Sequence, residues 1–243
     1  MLYREEVRMS IYAWHFKSIV FIAFLQMANF CLFSPAQAAS FDCAKAKTRV
    51  ERLVCADPEL SRLDEAMALA YRDALLVWDG KIAGYVKMTQ RGWVGARTLL
   101  PIGKDMGGVY CTDDAQRFNC LRGLYADRVA VLKSPGFRLG GIYTRGKDFV
   151  KVQAVAGGVN FAYAMADVNA TQGFTPEGKP IVVTSGQSQV NFILNGEGSE
   201  ACQLDANFSA EAVVLTQRGP CAGAKLSGRW IRDASRDPDA ELF

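Results

Sequence analysis

Apolar positions change their period once along this chain. From about residue 40 to 135 they recur every three or four residues, which lines up one face of an α-helix. Beyond Pro135-Gly136 they alternate, as in strands with one buried face. Asp57-Pro58-Glu59 reads as a helix start, with Asp as N-cap, Pro at the first helical position and an acid in the first turn. Leu60, Leu63, Met67, Tyr71, Ala74 and Trp78 then build one apolar face, and Asp79-Gly80 ends it. A second helix is expected from about Ile82 to Leu100, with Ile82, Val86, Trp93 and Leu100 inward, stopped by Pro101-Ile102-Gly103. A third begins near Asp114, buries Leu121, Leu124, Tyr125, Val129 and Leu132, and ends before Ser134-Pro135-Gly136.

In the second half, the alternation predicts strands at Gly141–Arg145, Phe149–Ala154, Val159–Ala166, Ile181–Thr184, Gln189–Leu194, Cys202–Phe208, Ala212–Gln217 and Leu226–Arg232. Turn residues separate them, among them Gly157-Gly158, Asn195 to Gly198 and Gly219-Pro220. The expected fold is α+β in two domains. A disulfide-bonded antiparallel three-helix bundle spans 39–135, and a small antiparallel β-barrel or sandwich spans 138–243. An internal echo joins the ends of the second half: Gly141-x-Tyr143-x-Arg145 and Gly228-x-Trp230-x-Arg232. In a closed barrel these strands are neighbours, and each arginine could stack on an aromatic ring. The charged tail from Asp233 to Glu241 is expected to be disordered or a solvated end.

The beginning of the chain follows neither pattern. Ser18 to Phe33 is nearly all apolar, Lys17 precedes it, and Ser34-Pro35-Ala36-Gln37-Ala38 follows. This is the order of a cleavable secretory signal, with the cut expected after Ala38. The stretch is short for a membrane span, so no stable span is expected after cleavage. Of the 243 residues, 205 remain, and the net charge falls from +3 to +2. So weak a charge gives no reason to expect a nucleic-acid partner. The location implied is periplasmic or secreted.

The cut also changes the chemistry. The sole histidine, His15, leaves with the leader. That removes Ser-His-Asp and Cys-His catalysis and every histidine-based metal site. Of seven cysteines, Cys31 leaves, and Cys43, Cys55, Cys111, Cys120, Cys202 and Cys221 remain. An even number in an exported chain reads as disulfides. Spacing suggests Cys43–Cys55 with Cys111–Cys120. Cys43–Cys120 with Cys55–Cys111 also fits, and Cys202 and Cys221 would tie neighbouring strands. No C-x-x-C pair occurs, so no metal or other cofactor is expected.

Among charged residues, Asp64 falls in the first helix and Arg97 and Arg128 in the other two. A carboxylate held by arginines across a bundle is expected as an internal tie, with Tyr71 and Trp93 in the core around it. Candidate binding residues are Glu197 and Glu200 in the acidic, glycine-rich loop Asn195–Glu200, and Ser227, Arg229 and Trp230.

The helical half resembles the N-terminal domain of the LprI-type lysozyme inhibitor family. The matching residues are Phe41-Asp42-Cys43-Ala44-Lys45-Ala46, Glu51-Arg52-Leu53-Val54-Cys55-Ala56-Asp57-Pro58-Glu59-Leu60, Leu63-Asp64 and Ala70-Tyr71. Gln90-Arg91-x-Trp93, Arg97, Cys120-Leu121 and Tyr125-x-x-Arg128-Val129-x-x-Leu132 complete it, so the likeness covers about residues 41–133. The chain departs from the pattern between Arg97 and Cys111, where a Pro- and Gly-containing stretch delays the cysteine. The family comprises exported bacterial proteins, some implicated in resisting host lysozyme. Some relatives carry a small barrel resembling C-type lysozyme inhibitors, which present a Ser-Gly-x-x-Tyr loop. Ser227-Gly228-Arg229-Trp230 is similar in part, with the aromatic one place early and, by the strand boundaries above, inside a strand.

The resemblance implies a non-enzymatic binding protein of the bacterial envelope, with lysozyme or another cell-wall-acting protein as partner. A second expectation is a ligand- or glycan-binding module, with an apolar pocket around Phe161, Tyr163 and Phe192. A cell-wall hydrolase would need paired carboxylates in a cleft, and the sequence shows no such pair.

Overall fold

The computed structural model describes residues 39–99, 114–166, 172–175, 179–194 and 202–239. They belong to one compact unit, Ala39–Phe243. The expected signal segment, Cys111, Glu197 and Glu200 lie outside the described residues.

Among the described residues four α-helices come first: α1 (Arg49–Ala56), α2 (Pro58–Leu75), α3 (Ala83–Leu99) and α4 (Asp114–Lys133). The Thr48 hydroxyl accepts from the Glu51 N–H, and the Glu51 carboxylate accepts from the Thr48 N–H, so α1 opens on a reciprocal capping box. Asp57 then caps α2, its carboxylate accepting from the Leu60 N–H, with Pro58 in the first turn. The second helix ends at Leu75, earlier than its apolar face suggests. Trp78, Asp79 and Gly80 follow with φ of +54°, +56° and +76°, a left-handed turn that no helix can continue.

The three expected helices are present as α2, α3 and α4, and α1 joins them in the helical layer. α2 packs mainly on α4 and less on α3. The apolar surface these helices leave is finished by residues from beyond them: Phe137 and Ala210 are buried in the same cluster as Leu60, Tyr85 and Tyr125.

Eight strands follow: β1 (Gly141–Arg145), β2 (Asp148–Val155), β3 (Gly158–Ala164), β4 (Gln172–Phe174), β5 (Gln189–Leu194), β6 (Cys202–Phe208), β7 (Ala212–Arg218) and β8 (Gly228–Asp233). They form one sheet in the order β4-β3-β2-β1-β8-β7-β6-β5, every pair antiparallel. This is a meander whose first and last strands meet, and it curls into a nearly closed barrel. Phe161 of β3 and Phe192 of β5 stack at 4.7 Å across the closing side. Alternate residues point inward: Val190, Phe192 and Leu194 on β5, Leu204, Ala206 and Phe208 on β6, and Val213 and Leu215 on β7 are all buried. The strand expected at Ile181–Thr184 is instead a single bridge, Ile181 to Val159. The second strand beside β3 is β4, whose three residues are too few for a period to show.

Cys43 pairs with Cys55, and Cys202 with Cys221. The first excludes the alternative that joined Cys43 to Cys120. Cys120 is also disulfide-bonded. Cys221 sits in the short turn after β7 and Cys202 opens β6, so the second bridge ties the end of that hairpin.

Candidate functional site

The helical layer buries a polar cluster around Asp64. Its carboxylate accepts from the Tyr125 hydroxyl at 2.9 Å, from the Ser40 N–H at 2.9 Å and from the Ser40 hydroxyl at 2.5 Å. Arg97 stands 3.6 Å away and donates to the Tyr125 oxygen. The Arg97 guanidinium also lies over the Trp93 and Tyr125 rings, at 5.3 and 5.5 Å, and those rings meet edge-on at 5.0 Å. Burial pushes the Tyr125 phenol far above its ordinary value, so it stays a protonated donor to Asp64. The carboxylate is 1% exposed, which makes this a packed tie and not an open site.

Arg128 does not join it, which corrects the expected second arginine. It donates to the Gln90 side-chain oxygen at 3.0 Å and to the Thr89 hydroxyl at 3.1 Å, with Phe137 5.9 Å below its guanidinium. Helix geometry explains the division. Arg97 and Arg128 come from different helices and approach α2 at different heights. Tyr71 is half-buried against the same core. Ser40 carries no signal in the sequence, because a serine in an extended lead-in has no periodicity.

The seam between β1 and β8 holds the internal echo. The pairing places Tyr143 opposite Arg232 and Thr144 opposite Ile231. The Arg145 guanidinium lies 4.1 Å from the Trp230 ring centre, and that of Arg232 lies 4.8 Å from Tyr143. Arg145 donates to the carbonyls of Ser227 and Lys225, and Arg232 to those of Gly140 and Arg138. Tyr143 donates to the Leu139 carbonyl and Trp230 to the Leu226 carbonyl, each four residues back. The two glycines complete the symmetry. Gly141 and Gly228 have φ of +148° and +125°, and a Cβ at either would press on the opposing arginine, at 2.9 and 3.2 Å. The repeat is therefore longer than the echo in the sequence, running Leu-x-Gly-x-aromatic-x-Arg at both places.

This geometry relocates the candidate binding residues. Trp230 is fully buried and belongs to the barrel core, not to a binding surface. Ser227 lies in the loop before β8, outside the strand expected to contain it, and its hydroxyl accepts from the Gln217 N–H at 2.9 Å. Ser227 and Arg229 are exposed.

Compared with known proteins, the chain matches no family model, no curated protein and no solved structure. Among the described residues, no three acidic or cysteine side chains are placed to hold a metal, and no helix is long and apolar enough to cross a membrane. Phe161, Tyr163 and Phe192, expected to line a pocket, are buried in the barrel core and fill its interior. The tail is also corrected: Pro238 is buried, Asp239 accepts from Gln153 at 3.1 Å, and Asp237 lies on Gly92 of α3. Burial raises the Asp237 carboxyl above its ordinary value, against the opposing pull of Arg128 and Lys151.

Proposed function

We propose that this is an exported, non-enzymatic binding protein of the bacterial envelope, and that a lysozyme is its partner. The observation that carries the first part is the disulfide bracing. Cys43–Cys55 closes the lead-in of the helical layer, and Cys202–Cys221 closes a barrel hairpin. Such bridges persist in oxidising compartments, and a rigid surface loses little entropy on binding. The partner rests on the residues shared with the LprI-type family, of which Asp64, Trp93, Arg97 and Tyr125 form one cluster. Ser227 and Arg229, exposed beside the β1–β8 seam, are the part of the Ser-Gly motif that could meet a partner.

The test is a stoichiometric titration of the purified protein against several lysozymes, with lysis and direct binding read together. Lytic activity should fall to its floor near one equivalent. Absence of both inhibition and binding for every lysozyme would remove the partner and leave the exported binding protein.

A further inference from the structure

We propose that a cavity between the helical layer and the barrel binds an amphipathic anion with a single apolar chain. The cavity is half open to solvent, has a volume of about 480 Å³, within the range of small-molecule sites, and lies where two layers meet. Its apolar part is lined by Ala70 and Ala74 from α2, Val77 from the turn after it, Leu132 from α4, and Phe137 from the turn leading into β1. Two bases, Lys133 and Arg138, stand against one acid, Asp73, and Ser185-Gly186 approaches from the barrel side. An apolar body with a negative head matches that distribution; a cation or a wholly polar sugar does not.

Arg138 decides the sign of the charge. It is half-buried, donates to the Gln187 carbonyl, and lies 5.1 Å from the Trp78 ring centre. Among the described residues, no carboxylate comes within ion-pair distance of it. A guanidinium drawn partly out of water without a counter-ion gains most from an anion that supplies one. Burial also lowers its pKa from the ordinary arginine value, the direction expected of an uncompensated cation. The ring beneath it is held in an unusual way. Trp78 has φ of +54°, a left-handed conformation costly for a bulky side chain, and its buried indole N–H has no partner. Trp78 packs against both hydrophobic clusters, so the ring beneath Arg138 is fixed by the core on either side.

This site is separate from the surface proposed for a lysozyme, and a lysozyme titration does not bear on it. The test is calorimetric titration of the purified protein with decanoate and monodecyl phosphate, below their micelle concentrations. Decanol and decyltrimethylammonium are the neutral and cationic controls. One decanoate or decyl phosphate should bind per chain, about tenfold or more tighter than the cation. The stronger of the two anions tells a fatty carboxylate from a lipid phosphate. Arg138→Gln keeps the backbone carbonyl that Arg232 uses, and should erase the preference for anions. Ser185→Trp, at an exposed rim position, should weaken anion and alcohol alike. Should Arg138→Gln fail to fold, the preference of the unaltered protein for decanoate over decyltrimethylammonium and its loss of affinity on Ser185→Trp still decide the proposal. The proposal is overturned by no binding, by equal affinity for the cation, or by binding that ignores both rim substitutions.

Discussion

At Asp64 a buried carboxylate faces one guanidinium, one phenol and the N–H and hydroxyl of Ser40. Replacing it by alanine leaves Arg97, 12% exposed, without its counter-charge and the Tyr125 hydroxyl without its acceptor. Removing one partner of a buried pair costs about 3–5 kcal/mol, so Asp64→Ala should lower stability by about that much in urea unfolding. Asp64→Asn, which keeps an acceptor for Tyr125, should lower it less. Asp57 gives a pH-dependent effect. Burial by itself would raise its carboxyl, but hydrogen bonds from Arg122 and the Leu60 N–H outweigh it and hold the pKa below the ordinary value. A depressed carboxylate contributes its stability above the unfolded pKa and loses it as pH falls through the folded one. Tm should therefore drop as pH is lowered through the carboxylate range. Asp57→Asn, which still caps α2, should make that drop shallower.

Among elements, α1 depends most on a covalent brace. Eight residues are too few for a helix to persist in water alone. The capping box sets where it starts, and Val50 and Val54 bury its inner face. Cys43–Cys55 then fixes the lead-in against its last turn, the two cysteines standing 12 positions apart in sequence. Replacing both cysteines by alanine should cost about 2–3 kcal/mol. It should also speed amide exchange in α1 well before α2, which hydrogen-exchange mass spectrometry reads directly. α1 was legible in principle. Thr48-x-x-Glu51 is its signature, a capping box just before a short apolar run. The strands were more legible, because alternate inward residues such as Val190, Phe192 and Leu194 repeat over enough positions for the period to show. β4, with three residues, was not.

Over the whole molecule, Arg232 joins what the sequence divides. Its guanidinium donates to the carbonyls of Ala210, Gly140 and Arg138, and lies between the Tyr143 ring of the barrel and the Tyr85 ring of α3. Tyr85 reaches Gly140 so closely that a Cβ there would meet its hydroxyl. The helical layer and barrel share this contact and the cluster around Phe137 and Ala210, so calorimetry should show one unfolding transition. Two resolved transitions would mark independent domains. Arg232→Lys keeps the charge but loses the planar fork, and should cost about 2 kcal/mol.

From the sequence alone came what depends on local chemistry: the change of period at Pro135-Gly136, the Asp57-Pro58 helix start, most strand boundaries, and the arginine–aromatic echo at the barrel seam. Each is written in neighbouring residues or in a short repeat. The tertiary structure decided what depends on residues far apart. It chose Cys43–Cys55 over the rival pairing, gave Asp64 to Arg97 and not Arg128, and moved Trp230 from surface to core. It also opened a cavity where α2, α4 and a barrel loop meet. Periodicity reports which face of an element is buried. It carries no information about the height at which two elements cross, and that height determines which charges touch and where space is left.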